Sequence, residues 1–359
     1  MPAKRYLWLA VLSVVQTCAL AADAGRWTLA LDLGENHVEG FPLSWTDRQV
    51  QLLSRDGQVL DFSPNQARNA RKAAPTFQGY SSAEMRSQLS RELGPSFDVS
   101  GTGHYLVAHA KGQRDVWAPR FEELYRSLVH YFTLRGISLN EPEFPLVAII
   151  WKNQADFLRY AEKTGARIGP NVLGFYSPKT NRISLYDTSG TGAGKAWQQN
   201  ADVIIHEATH QTSFNTGLHR RFADNPRWLV EGLGTMFEAR GVWNSRQYQK
   251  QSDRLNMGRL MSYRHLESDP KAGAILQLIG NDRMFETNVD RAYALAWALT
   301  FFLCETQPQR YGEYLKLIAK RPAFVEYSSA DRVKDFTKIF GDIGLLEGYF
   351  RRFMNELRT

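Results

Sequence analysis

The chain has 359 residues, 43% of them hydrophobic and 23% charged, which is ample for one large domain or two unequal ones and excludes a wholly disordered chain. The formal charge of +7 is mild for this size. The basic residues are scattered apart from pairs such as Arg220-Arg221 and Arg351-Arg352, so there is no nucleic-acid footprint and no nucleic-acid partner is expected.

Residues 1–22 read as a secretory signal peptide. Lys4 and Arg5 form the positive start, Tyr6 to Val15 the apolar stretch, and Ala19-Leu20-Ala21 the small-residue end, with cleavage after Ala21 or Ala22. The apolar run is short for a transmembrane helix, so no stable membrane insertion is expected after cleavage. Thr17 precedes Cys18 where a lipoprotein signal needs a small residue. Export to the periplasm or the medium follows, and loss of Lys4 and Arg5 leaves a formal charge of +5 (+7 less two). Only Cys304 remains, inside an apolar run, and it reads as a buried small hydrophobe.

Residues 26–64 read as a small β module. Alternation at Trp27 to Leu31, Gln49 to Leu53 and Val59 to Phe62, with Asp56-Gly57 as a turn, gives strands and a hairpin. Residues 65–95 are polar, basic and Ala-rich, and read as a linker with some helical character. The region 96–358 then opens with strands at Phe97 to Ser100 and Tyr105 to His109. A helix follows over 115–134, then the buried strand Pro145 to Ile150 and a helix over 153–163. A hairpin runs from Val172 to Tyr186, and from about residue 250 the chain is almost entirely helical. Helices and a mainly antiparallel sheet segregate along the sequence, which predicts an α+β fold.

The chemistry centres on His206-Glu207-Ala208-Thr209-His210. On a helix, positions i and i+4 lie on one face, so both imidazoles can share one metal, with Glu207 placed to take a proton from water beside it. Val203-Ile204-Ile205 just upstream makes this a buried helix, where unpaired imidazoles are costly unless something binds them. A catalytic zinc site needs a third protein ligand. Asn225-Pro226 reads as an N-cap followed by a first-turn proline, opening a helix through Glu238. Glu231 stands in it among Trp228, Leu229, Val230 and Leu233, an odd place for a carboxylate that is neither paired nor a ligand. Gly232 allows close approach of another backbone, and Glu238 or Thr235 is placed to hydrogen-bond a ligand imidazole.

This pair of motifs resembles the gluzincin metallopeptidases, and within them the peptidase-MA-like proteins of the DUF1570 type, over about residues 96–357. Gly174 to Arg182 is similar to the hairpin those proteins carry before the helix. The resemblance implies a zincin-like catalytic domain and zinc on His206, His210 and Glu231. It implies Glu207 as general base and a peptide or protein substrate. It also places Arg182 to Tyr186 as the strand that pairs with extended substrate. Tyr293, on a helix downstream, is the candidate oxyanion donor, with a core role as its alternative. A metzincin would carry a glycine and a third histidine where Ser213 and Thr216 stand, and His219 falls at the wrong spacing, a loop residue. A thermolysin-like site would carry an aspartate where Thr235 stands. No Gly-x-Met-Glu-Asn segment grips a free amino terminus, which leaves endopeptidase as the default. Three rival readings remain: a non-catalytic zinc-containing envelope binding or scaffold protein, a zinc hydrolase of a non-peptide amide bond, and an ordinary fold with an accidental motif.

Overall fold

A computed structural model describes residues 25–112, 117–169, 171–188, 195–266 and 273–357. The expected leader, 1–22, lies outside the described residues. The chain is α+β and divides into two compact units. One comprises residues up to Phe97 with Glu143–Pro145 and Lys179–Asn181, and the other holds the rest.

The first unit is built on β1 (Thr28–Leu33), β2 (Asn36–Trp45), β3 (Val50–Ser54), β4 (Val59–Phe62) and β5 (Ala67–Ala74). They form one sheet in the order β4-β3-β2-β1-β5, each neighbouring pair antiparallel. The apolar runs read from the sequence are buried, although β1 is buried at four successive residues, Thr28 to Leu31, and does not alternate. Leu29 and Leu31 on β1, Val50 and Leu52 on β3, and Phe62 on β4 fill one small core with Trp27. Gly57 turns the β3–β4 hairpin at φ 82°, with its N–H donating to the Ser54 carbonyl at 2.9 Å.

Residues 65–95 are not a linker. They carry β5 and helix α1 (Ser82–Leu93), and they belong to the first unit. Composition misleads here because β5 buries only Ala67 and Ala70 and presents Arg68, Asn69, Arg71 and Lys72 outward, the habit of a charged edge strand. Helix α1 is capped by Ser81, whose hydroxyl accepts from the Glu84 N–H while Glu84 reaches back to the Ser81 N–H.

The second unit carries β6 (Phe97–Gly101), β7 (Tyr105–Ala110), β8 (Leu146–Trp151), β9 (Gly174–Ser177) and β10 (Arg182–Tyr186), in the sheet order β6-β7-β8-β10-β9. The expected mainly antiparallel sheet is corrected: β7 and β8 are parallel, β8 and β10 are parallel, and the β9–β10 hairpin is antiparallel. Helices α2 (Ala118–Thr133) and α3 (Gln154–Lys163) lie in the connections leaving β7 and β8. A strand-to-strand connection long enough to hold a helix permits parallel pairing. β8, Leu-Val-Ala-Ile-Ile-Trp, is buried almost throughout, as a central parallel strand must be.

Helices α4 (Lys195–Asn215), α5 (Arg227–Phe237), α6 (Arg240–Trp243), α7 (Met257–Leu266), α8 (Ala274–Gly280), α9 (Met284–Thr287), α10 (Val289–Thr306), α11 (Pro308–Ala319), α12 (Ser329–Phe340) and α13 (Ile343–Glu356) follow. Helix α4 packs against β9, β10, α2 and α5. It is tied to the sheet by buried Gln211, whose amide donates to the Val147 carbonyl of β8 at 3.0 Å. Helix α5 buries Trp228, Leu229, Leu233, Met236 and Phe237, worth roughly 1.5–3 kcal/mol for each large side chain. It begins at Arg227 with Pro226 as its N-cap, one residue later than read. Asn225 does not cap it but donates to the Arg220 and Ala223 carbonyls of the preceding turn. No helix among the described residues is long and apolar enough to cross a membrane.

Candidate metal centre

His206 and His210 stand one turn apart on α4, with their Nε2 atoms 2.9 Å from each other. Glu231 enters from α5, placing Oε2 at 3.4 Å from His206 Nε2 and 3.6 Å from His210 Nε2. One ligand atom from each of the three residues lies within 4.8 Å of the others. Donors at zinc-ligand bond lengths of about 2.0–2.1 Å in a tetrahedron sit ~3.3 Å apart, and these separations bracket that value. Glu231 Oε2 is buried with no hydrogen-bond donor among the described residues. Burial alone would raise the Glu231 carboxyl, but the two imidazoles beside it hold it well below the usual carboxylate range, so it is an anion. A buried anion with an unsatisfied oxygen facing two imidazole nitrogens is costly unless a cation joins them. Two imidazoles and one carboxylate are a donor set that suits zinc.

The close approach of α5 depends on two glycines. A Cβ on Gly234 would fall 2.8 Å from His206 Cε1 and 3.0 Å from His210 Cε1. A Cβ on Gly232 would fall 2.5 Å from the Ala296 carbonyl oxygen and overlap the Thr300 hydroxyl. So Gly234 lets α5 lie against the ligand imidazoles, and Gly232 lets it lie against α10.

His206 is oriented by Glu238, whose Oε1 is 2.8 Å from His206 Nδ1. Asn256, at the start of α7, holds the other Glu238 oxygen at 2.7 Å and the Thr235 carbonyl at 3.0 Å. Thr235 has no such part: its hydroxyl donates to the Glu231 and Gly232 carbonyls of its own helix. Asn256 carries no local sequence signal, and only the tertiary structure brings it to Glu238 and the Thr235 carbonyl.

Glu207 is partly buried beside the two histidines, and its Oε2 accepts the Tyr176 N–H at 2.7 Å. Burial raises this carboxyl above its usual value against the opposing pull of the two imidazoles and that N–H. Tyr176 lies on β9, opposite Ile183 of β10. This corrects the expected edge strand. Arg182 to Tyr186 is flanked by β8 and β9 and has no free edge, whereas β9 ends the sheet among the described residues.

Tyr293, on α10, is partly buried. Burial pushes its phenol up, the neighbouring Glu231 carboxylate adds to the rise, and Arg227 opposes it. Its phenol thus lies within electrostatic reach of Glu231 and Arg227. His219, read as a loop residue, is 1% exposed and packs on Phe214 at 5.3 Å. Among the described residues neither ring nitrogen has a hydrogen-bond partner, and burial drives its imidazole down to about 3.

The fold and site thus define an α+β protein with a largely buried His-His-Glu cluster able to hold a metal. Residues 200–325, which include that cluster, match the family described as "Protein of unknown function (DUF1570)". No curated protein is similar enough to count as a relative. Among solved structures, a two-domain M1 zinc metallopeptidase variant bound to L-arginine is 15% identical, with a TM-score of 0.41, over 73% of this chain and 52% of its own. An M1 zinc metallopeptidase from Deinococcus radiodurans is 15% identical, with a TM-score of 0.40, over 74% and 52%. Its variant bound to a Tyr-Ser-Ala substrate is 16% identical, with a TM-score of 0.39, over 73% and 51%. The chain spans about half the length of these solved structures.

Proposed function

We propose that this chain is an exported, zinc-dependent peptidase of the gluzincin type, with residues 96–358 as its catalytic domain and endopeptidase action as the default. The observation that carries the reading is the convergence of His206, His210 and Glu231, with the Glu207 carboxylate beside them. The leader-like pattern of residues 1–22 supports export.

His206, His210 and Glu231 would hold the ion. Bound there, zinc supplies Lewis acidity that polarises a carbonyl and makes a water acidic enough to lose a proton near neutrality. Glu207 takes the proton of the attacking water and passes it to the leaving amine, a relay favoured by a carboxyl raised by burial. The Tyr176 N–H holds one Glu207 oxygen and so fixes the direction in which the other can act. Glu238 keeps the His206 Nδ1 proton, leaving Nε2 as the ligand atom. Tyr293 donates its phenolic proton to the carbonyl oxygen as charge builds there. The outer edge of β9 takes the extended peptide as an added strand.

The test is elemental analysis of the purified mature chain beside His206→Ala and Glu231→Ala. About one zinc per wild-type chain, reduced in both variants, is expected. A wild-type chain without zinc after incubation with it overturns the proposal.

A further inference from the structure

Two arginines border the metal-ligand cluster. Arg227 is the first residue of α5, one turn before Glu231, with Nε 3.7 Å from Glu231 Oε1 and a side chain 43% exposed. Its guanidinium carbon lies 4.8 Å from the centre of the Phe285 ring. Arg259, on α7, places its guanidinium carbon 5.0 Å from the centre of the Tyr293 ring. Apart from Glu231, neither guanidinium has a carboxylate within ion-pair distance among the described residues. Asp282 is near Arg227, but its Oδ1 accepts the Arg227 backbone N–H at 3.0 Å and is paired with Arg332 Nη1 at 2.9 Å.

A guanidinium held over an aromatic ring is steadied through its face, which leaves N–H groups of its edge able to donate. That edge is the part that grips a carboxylate through two parallel hydrogen bonds. Glu231 is the one acid in reach, and as a metal ligand its charge is shared with the ion. Arg227 and Arg259 are therefore two cations held on aromatic rings next to the ligand cluster, and Glu231 is the one carboxylate paired with either of them among the described residues.

We propose that Arg227 and Arg259 form a carboxylate-binding subsite, so that the preferred substrate carries a carboxylate close to the bond that is cut. This rests on the peptidase reading above. The carboxylate is either the free C-terminus of a peptide or an acidic side chain, and both offer the same two oxygens to the guanidinium edges. Tyr293 and Glu231 lie between the two arginines and link the subsite to the reacting carbonyl.

Binding tests this without turnover. Zinc-loaded Glu207→Gln protein, its metal content measured in the same sample, is titrated with two pairs of fluorescein-labelled peptides. One pair is hexa-alanine with a free C-terminus and its C-terminal amide. The other is amidated Ala-Ala-Ala-Glu-Ala-Ala and its Gln counterpart. In at least one pair the carboxylate peptide binds about tenfold tighter or better, and that pair identifies the source. The gap falls below about threefold when Arg259→Gln is added with zinc retained, and Arg227→Lys narrows it by removing the forked edge while keeping the charge. Equal affinity within both pairs, absence of binding to all four peptides, or a gap that survives Arg259→Gln overturns the subsite. The two readings fail separately. A protein that discriminates carboxylates but takes up no zinc sinks the peptidase alone, and a zinc-loaded active protein without discrimination sinks the subsite alone.

Discussion

Glu238 Oε1 stands 2.8 Å from His206 Nδ1, while His206 Nε2 faces His210 and Glu231. One carboxylate on α5 thereby decides which imidazole nitrogen is left for a metal, and Asn256 fixes that carboxylate in turn. Glu238→Gln and Asn256→Ala should each weaken zinc affinity by about 10–100-fold with the fold intact. Competition against a chelator of known affinity measures this, and unchanged affinity in Glu238→Gln would remove Glu238 from the site.

Glu207→Gln replaces the base by an amide of the same shape that can still meet the Tyr176 N–H. Zinc content should stay at the wild-type level while peptide hydrolysis falls by about 10²–10⁴-fold or more. A variant that loses zinc as well, or one that remains active, contradicts the role given to this carboxylate.

Gly232 and Gly234 separate two kinds of close approach. An alanine at an unobstructed helical position gains about 1 kcal/mol over glycine. Here Gly232→Ala meets the backbone of α10 and should instead cost on the order of 1–3 kcal/mol, read as a lowered Tm. Gly234→Ala meets two imidazoles and should lower zinc occupancy more than it lowers Tm. Wild-type metal content in a folded Gly234→Ala protein would mean that the imidazoles can move aside.

Acid should weaken the second unit through Glu122. Burial works against its charge. The His104 side chain and N–H, the Thr102 hydroxyl and Arg126, all within 3.0 Å, outweigh that and bring it to about 2 against an ordinary 4.5. As pH falls, the unfolded chain binds this proton first. The stabilisation is present above about pH 4.5 and is lost towards pH 2. It amounts to at most roughly 3 kcal/mol. Urea unfolding across this range should show that slope in the wild type and a flatter one in Glu122→Gln. Parallel curves would show that Glu122 does not carry the acid sensitivity.

The amino-acid sequence by itself determined what depends on short separations. The four-residue separation of His206 and His210 fixes their common face through helical geometry alone. The apolar setting of Glu231 marks it as a carboxylate in need of partners, and Gly232 announces the contact with α10. The apolar runs of β1, β3 and β4 are likewise a local property, and their side chains fill the small core of the first unit. What only the tertiary structure decided depends on pairings between distant segments. β5 has too little apolar surface to declare itself and exists because β1 offers it an edge. The parallel order of β7, β8 and β10 is set by crossover connections and not by any strand's own pattern. Which strand ends the sheet beside Glu207, that His219 is buried, that Asn256 reaches Glu238 and that Arg259 lies on Tyr293 follow from how helices and strands pack. A side chain's periodicity tells which face it occupies, but its partner across that face is chosen by the whole fold.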